Sequence, residues 1–296
     1  MARSTSMDPI ATPALTSTPL AGLPADVLVL ATSTRPWNRA VTLGVDLAAR
    51  WGSHLTGCFA DATIRGLGGA DTEPAVIDRL MQPANLEASR AEAAEFAALA
   101  HRRGVRDASW TTAHTGMAAT LRQLGAWHDI AIMERDVVDE SNLLELFGET
   151  MLTCRMPCLI LPPNWTGDAA FGHIAIGWNG SIEAVRAIHA ALPLLLAAKQ
   201  VTLMDGSLPP SDDVDRTLPQ FDPARYLSSH GVHCHRVGLH VAPAEAGEAL
   251  LKEVQRRHAD LLVMGGYSHS RLRARVLGGA TRHVLGHAQL ALLMQH

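Results

Sequence analysis

The sequence predicts an α/β protein made of two tandem halves, each an open parallel sheet of five strands flanked by helices. Strand-length apolar runs alternate with helical patterns along the chain, which is typical of parallel β-α-β units. The apolar run at 129–133 aligns without a gap with the run at 260–264, as expected of an internal duplication. The connector at 162–167 is short and has loop chemistry, so we expect the halves to pack as a pseudo-dimer.

The first half is predicted to contain five strands with helices between them. Its strands are predicted at 26–31, 54–60, 108–113, 129–133 and 158–161. Its helices are predicted at 38–51, 86–103, 117–127 and 144–154. The first two helices run into Gly52 and Gly104, and a glycine just past the last helical residue is a common terminating signal.

The second half repeats this order with one shortened helix. Its strands are predicted at 173–177, 201–204, 233–238, 260–264 and 290–294. Its helices are predicted to follow the cap residue Ser181, to span 223–229, to begin at Pro243 and to follow Gly278-Gly279. The loop at 205–222 is rich in proline and aspartate, and we expect it to be irregular.

Composition limits the number of domains and excludes several classes of protein. The 296 residues are 47% hydrophobic and 18% charged, with a net charge of −4, which suits two domains of about 150 residues each. We place the domains at 24–163 and 170–296, after a disordered tail at 1–23 that lacks the apolar core of a secretory signal. The mild acidity argues against nucleic-acid binding, and no apolar run reaches the roughly 18–20 residues that span a membrane. The four scattered cysteines are expected to be free thiols in a reducing cytoplasm.

The segment with the clearest chemistry lies at the end of the chain. No acidic residue follows Asp260, and arginine occupies positions 271, 273, 275 and 282. The strand at 260–264 leads into Gly265-Gly266, and Gly278-Gly279 directly precede a helical pattern. Backbone N–H groups at a helix N-terminus are free donors with partial positive charge. This segment can therefore cradle a polyphosphate.

The same segment carries a resemblance to a known family. The stretches MGGYSHSRLR at 264–273 and VLGGATR at 276–282, with the WNGS turn at 178–181, resemble the universal stress protein family in its tandem-domain bacterial form. The resemblance is strong in the second half and weak in the first. It implies a Rossmann-like fold with strand order 3-2-1-4-5 and a stress-response protein that is regulatory or protective rather than enzymatic. Its ligand crevice would lie outside the carboxyl ends of the first and fourth strands.

The resemblance also implies a site for ATP, or another adenine nucleotide, in the second domain. The candidate binding residues are Asn179, Gly265, Ser268, His269, Gly278 and Gly279. Gly265 and Gly278 match two phosphate-loop glycines at the spacing found in the family.

Three of these positions depart from the family pattern. Ser268 stands where the family has a further glycine, and Gly279 stands where it has Ser or Thr. Asn179 replaces the aspartate that lies near the adenosine. Ser268 keeps its backbone N–H, Gly279 loses a hydroxyl donor worth roughly 0.5–1.5 kcal/mol, and Asn179 keeps an acceptor. These changes predict a site with weakened affinity for the nucleotide. We expect no metal ion at this site.

The first half carries the opposite charge at the corresponding place. Glu134 and Arg135 occupy the positions of Gly265 and Gly266, and residues 134–149 contain six acidic side chains against one arginine. Because a carboxylate repels a polyanion, we predict that the first half binds no nucleotide and is structural or faces an unidentified protein partner.

Structural interpretations remain open for the glycine-rich features. Gly278-Gly279 can allow close packing of a helix on the sheet, and the arginines can form a solvated face. Asn179, Gly180 and Ser181 can be a turn followed by an N-cap without any ligand. The strand at 290–294 is an edge that can pair with a second molecule to form a homodimer.

Three other functions also remain open. His269 beside the phosphates would suit a slow ATP hydrolase. His233 and His235 are predicted on one strand face, and His283 and His287 on one helix face, which would suit a metal-binding sensor. A protein without any ligand would be an interaction scaffold.

Overall fold

The ten strands of the two halves join into one continuous sheet. They are observed in a computed structural model that describes residues 22–60, 82–137, 156–207, 221–266 and 278–296. The strands are β1 (Asp26–Ala31), β2 (His54–Phe59), β3 (Ala108–Thr112), β4 (Ile130–Glu134), β5 (Cys158–Leu161), β6 (His173–Trp178), β7 (Gln200–Asp205), β8 (His235–Gly238), β9 (Leu261–Gly265) and β10 (Ala291–Gln295). The order across the sheet is β3-β2-β1-β4-β5-β10-β9-β6-β7-β8. Each half therefore has the predicted order 3-2-1-4-5.

Helices cover both faces of this sheet. They are α1 (Arg39–Trp51), α2 (Pro83–Arg102), α3 (Met117–Leu124), α4 (Ile182–Ala197), α5 (Pro223–Ser229), α6 (Ala246–Arg256) and α7 (Gly279–His287). Core residues of α1, α2 and α4 pack on one face, and those of α3, α6 and α7 pack on the other. The strands are apolar on both faces because both are covered, as parallel sheets usually are. This explains why the sequence shows continuous apolar runs rather than alternation.

The two halves meet at the antiparallel pair β5 and β10, the one antiparallel pairing between named strands of the described part. Leu293 lies opposite Leu159, and Met294 lies opposite Cys158. The strand predicted as a free edge at 290–294 is therefore paired within the chain, which leaves β3 and β8 as the outer strands of the described sheet. The two halves therefore pack together as predicted, but they share one ten-stranded sheet and do not form two separate sheets.

Several predicted boundaries are wrong by a few residues. The helix expected from Pro243 begins at Ala246, because residues 242–245 form a turn in which the Glu245 N–H donates to Ala242 O. The strand expected at 233–238 begins at His235, since the chain at Val232 still bonds back to the end of α5. The helix expected at 117–127 ends at residue 124 and continues as a 3₁₀ turn.

Some predictions lie outside the described residues. These are the tail at 1–21, the helix at 144–154 and most of the loop at 205–222. Among the described helices, none has both the length and the apolar character that crossing a membrane requires.

Candidate functional site

A small cavity lies where the strand order of the second half reverses, at the carboxyl ends of β6, β7 and β9. Its volume is about 90 Å³. It is lined by Gly177, Trp178, Asn179, Met204, Gly206, Leu239, Ala246, Leu250, Met264, Gly265 and Ala280. Ligands of open α/β sheets bind at this switch point. The cavity therefore occupies the place predicted for the ligand crevice, and two predicted site residues, Asn179 and Gly265, line it.

Gly265 lies against the first turn of α4. A Cβ built on Gly265 would be 2.5 Å from the Ala184 backbone nitrogen and 2.7 Å from the Glu183 carbonyl carbon. Both neighbours are backbone atoms, which cannot move aside without displacing the helix. A packing requirement therefore explains this glycine, whether or not a ligand binds beside it.

The N-terminus of α4 is already satisfied by its own side chains. The Ala184 N–H donates to Ser181 Oγ at 3.2 Å, and Glu183 places a carboxylate in the first turn. The Ser181 N–H donates to Asn179 Oδ1 at 3.1 Å, and Gly180 supplies the positive φ of 77° that the turn requires. The turn-and-cap interpretation is correct for this segment. The Nδ2 amide is the polar group that Asn179 still offers a ligand.

The N-terminus of α7 is different. Among the described helices of the second half, α7 alone begins with neither a side-chain cap nor an acidic residue in its first turn. A Cβ on Gly279 would have no described atom within 4 Å, and one on Gly278 would meet only Thr281 Oγ1 at 3.9 Å. Within the described part of the chain, packing therefore requires neither glycine. They place no side chain of their own over the first N–H groups of α7, which have no partner within the helix itself.

Thr281 is a residue of this site that the sequence interpretation missed. It is 7% exposed in the first turn of α7, and its hydroxyl points towards the Gly278 cap. The family pattern directed attention to position 279, where the hydroxyl is absent. A threonine two residues further on, in the first turn of the same helix, was the available signal. Ser268 and His269 lie outside the described residues, as do Arg271, Arg273 and Arg275.

Solved structures with this architecture cover nearly the whole chain. A universal stress protein from Archaeoglobus fulgidus DSM 4304 matches 90% of this chain and 95% of its own, with a TM-score of 0.61 and 11% identity. A functionally unknown protein from Pseudomonas aeruginosa PAO1 matches 93% of each chain, with a TM-score of 0.57 and 15% identity. A protein from P. aeruginosa UCBPP-PA14, provisionally assigned as a universal stress protein, matches 93% of this chain and 94% of its own. Its TM-score is 0.57 and its sequence identity is 14%.

The fold is that of the universal stress proteins. At these identities the likeness concerns the fold. No protein-family model matches the sequence, and no curated protein matches it significantly.

In the first half, a carboxylate closes the N-terminus of α1, the helix that corresponds to α4 of the second half. The Glu134 carboxylate accepts hydrogen bonds from the backbone N–H groups of Arg39 and Ala40, the first two residues of α1. Burial raises the pKa of Glu134, the nearby Asp136 carboxylate raises it further, and these backbone hydrogen bonds oppose the rise. Glu134 thus occupies the first donors of α1, in the place where Gly265 of the second half lies against α4.

The loop after β1 is anchored to the sheet and to aromatic side chains of the first half. The Asn38 amide donates to Leu30 O and to Thr32 Oγ1, each at 3.2 Å. The Trp37 ring packs edge-on against Phe96 and Trp110, at centroid distances of 5.9 and 5.4 Å. In the second half the corresponding connection is a tight turn between Trp178 and Ile182.

The described histidines form one close pair. The His283 and His287 rings stack at a centroid distance of 4.3 Å, and His287 Nδ1 bonds to the His283 carbonyl. His233 precedes β8 instead of sharing a strand face with His235. Across the described ranges, no three His, Cys, Asp or Glu side chains are grouped closely enough to hold an ion.

The described cysteines are free thiols in or near the core. Cys58 and Cys158 are buried, and Cys234 is partly exposed. Burial raises the pKa of the Cys58 thiol to about 12, which makes it a poor nucleophile at neutral pH. Cys154 lies outside the described residues.

Proposed function

We propose that the protein is a tandem universal stress protein that binds an adenine nucleotide through its second domain, residues 170–296. It would act as a non-enzymatic regulatory or protective module of the cytoplasm. The first domain, residues 24–163, would bind no nucleotide. The phosphates would lie at the N-terminus of α7, over Gly278 and Gly279. The nucleoside would lie towards Asn179 and the switch-point cavity.

The observation that carries this proposal is the contrast between the N-terminus of α7 and those of α1 and α4. Every helix N-terminus has backbone donors that need acceptors. The first two donors of α1 bond to Glu134, and the Ala184 donor of α4 bonds to Ser181. Among the described residues, no side chain caps the donors of α7, and the two glycines at its start are not required by packing within that part of the chain. An anionic ligand would satisfy these donors and the helix dipole together.

The size of the cavity supports a divided site. Ligand pockets usually have volumes of about 300–1,000 Å³, whereas this one has about 90 Å³. It can hold part of a flat base among Met204, Leu239, Leu250 and Met264, but not a whole nucleotide. The ribose and phosphates would then lie outside it, along the path from Asn179 to α7. Loss of the family's hydroxyl at position 279 would weaken the site, and Thr281 would replace part of that contact.

Calorimetric titration with ATP, after removal of any co-purified nucleotide, tests the proposal. A saturable heat and a rise in melting temperature at millimolar ATP are expected. No heat and no thermal shift would reject the site and favour a ligand-free interaction scaffold. The hydrolase alternative rests on His269 and stays a prediction. Phosphate release that persists after His269→Ala would exclude that residue as its catalyst.

A further inference from the structure

Arg135 of the first half holds the end of α7, the helix that begins the proposed nucleotide site. Its guanidinium Nη1 donates to Leu285 O at 2.9 Å and to Ala288 O at 3.0 Å. The last four carbonyls of a helix lack partners within the helix, and cations are favoured there by the helix dipole. Arg135 therefore supplies from the other half what the C-terminus of α7 needs.

The position of Arg135 in the duplication makes this contact informative. Glu134 and Arg135 stand where the second half has Gly265 and Gly266. Glu134 closes the N-terminus of α1 in its own half, while Arg135 crosses to the C-terminus of α7. The two residues that distinguish the degenerate half thus have separate tasks, and one of them acts on the other half.

α7 depends on such contacts because it is short. It has nine residues, a length of about 13 Å, and isolated helices of this size are unstable in water. Its first turns are held from the side by α6, where a Cβ on Gly247 would be 2.9 Å from His283 Cβ and 3.0 Å from Ala280 Cα. Its last turn is held by Arg135. The placement of its N-terminal donors is therefore determined at both ends of the helix.

We propose that Arg135 is a positioning residue for nucleotide binding in the second half, so that the degenerate half contributes to the site without binding a ligand. This inference rests on the proposed function. Direct attraction between the guanidinium and the phosphates is not the cause. The two would be separated by the length of α7, beyond the screening length of about 10 Å at 0.1 M salt. Arg135 acts by keeping α7 in its binding-competent position.

The expected effect follows from the fraction of molecules with α7 in place. If Arg135→Ala reduces that fraction to roughly a tenth, the apparent Kd for ATP rises about tenfold, equivalent to about 1.4 kcal/mol. Arg135→Lys retains a cation but not the planar fork and should give a smaller rise, about two- to threefold. Arg106→Ala removes an exposed arginine of the same half and should leave Kd unchanged.

Calorimetry with ATP at 0.05 and 0.5 M salt, at a temperature where every variant is folded, tests the inference. The ratio of variant to wild-type Kd should be the same at both salt concentrations. A wild-type Kd in Arg135→Ala would overturn it, even if that variant melted at a lower temperature. A ratio that shrinks towards one at high salt would also overturn it, because it would indicate direct attraction.

Amide hydrogen exchange without nucleotide gives an independent readout. The amides of α7 should exchange faster in Arg135→Ala than in wild type or Arg106→Ala. Because coupling is reciprocal, saturating ATP should slow exchange in the last turn of wild-type α7. If wild type binds no ATP, the proposed function fails, but the ligand-free exchange still reports on the brace. Unchanged exchange in Arg135→Ala would overturn the role of Arg135 regardless of nucleotide binding.

Discussion

A carboxylate placed at the first residue of α7 tests the proposed phosphate seat without disturbing the core. Gly279 is exposed, and a Cβ there would meet no described atom within 4 Å. Gly279→Asp should therefore stabilise the folded protein slightly. Aspartate exceeds glycine in helix propensity by only about 0.3 kcal/mol, and an acidic residue in the first turn adds about 0.3–1 kcal/mol through the helix dipole. We expect a gain in unfolding free energy of about 1 kcal/mol.

The same carboxylate should weaken nucleotide binding. It would lie within about 6 Å of an anion held by the first N–H groups of α7. At that separation one pair of like charges repels by about 0.7 kcal/mol in water and about 2.8 kcal/mol at an effective dielectric constant of 20. These values correspond to a roughly 3- to 100-fold rise in Kd for ATP. The exposure of Gly279 places the expected value in the lower half of this range.

Urea unfolding and ATP calorimetry on the same preparations measure both effects. Gly279→Asn is the matched control, because it has the same shape without the charge and should bind ATP within about threefold of wild type. The rise in Kd for Gly279→Asp should also shrink as salt increases. If Gly279→Asp is folded and stable but binds ATP as tightly as Gly279→Asn, then no phosphate lies at this helix end.

Three further predictions follow from the packing and the titrating groups. Gly265→Ala should destabilise the fold by about 1–3 kcal/mol in urea unfolding, since its Cβ would overlap the Ala184 backbone. Gly286→Ala is the control, because a Cβ there would have open space around it. Equal urea midpoints for the two variants would contradict the reasoning. Burial raises the pKa of Glu134, so the folded state favours the protonated carboxyl group. The wild-type protein should therefore lose stability relative to Glu134→Gln as the pH rises through that raised pKa. Unfolding curves from pH 4 to 8 measure this, and a difference independent of pH would refute it. Cys58, with its pKa raised to about 12, should resist alkylation at pH 8 until the protein unfolds. Mass spectrometry of the peptide that contains Cys58 measures the labelling. Rapid labelling of the native protein would contradict the burial of this thiol.

Local patterns predicted most of the sheet. The strand at 158–161 and the helix at 223–229 are found where expected, and Ser181 caps α4 as expected. These features depend on short-range physics, namely apolar runs buried on both faces and a hydroxyl three residues before its N–H donor. The joint between the halves could not be predicted in this way. The apolar run that forms β10 fits an exposed edge as well as a pairing with β5, and only the arrangement of the two halves decides between them.

The sequence likewise predicted some features of the candidate site and missed others. The acidic character of 134–149 predicted that the first half binds no nucleotide, which stays a prediction, and residues 138–149 lie outside the described part of the chain. It did not predict that Glu134 would bind the first N–H groups of α1, or that Arg135 would reach α7. Those contacts join residues 94 and 150 positions apart, and no periodic pattern connects them. Gly265 is an intermediate case, because the motif identified it but the close approach of α4 explains it.

The duplication separates two demands that a single domain must meet together. A helix end without an acceptor is less stable than a capped one, so an open N-terminus such as that of α7 is costly in the absence of ligand. Glu134 removes this cost at α1 of the first half. Under the proposed function α7 keeps an open end for a ligand, and Arg135 supports this helix from its far end. A nucleotide that fills the site at roughly five times its Kd would return about 1 kcal/mol of stability, so the stability of the second half would respond to nucleotide concentration while that of the first would not.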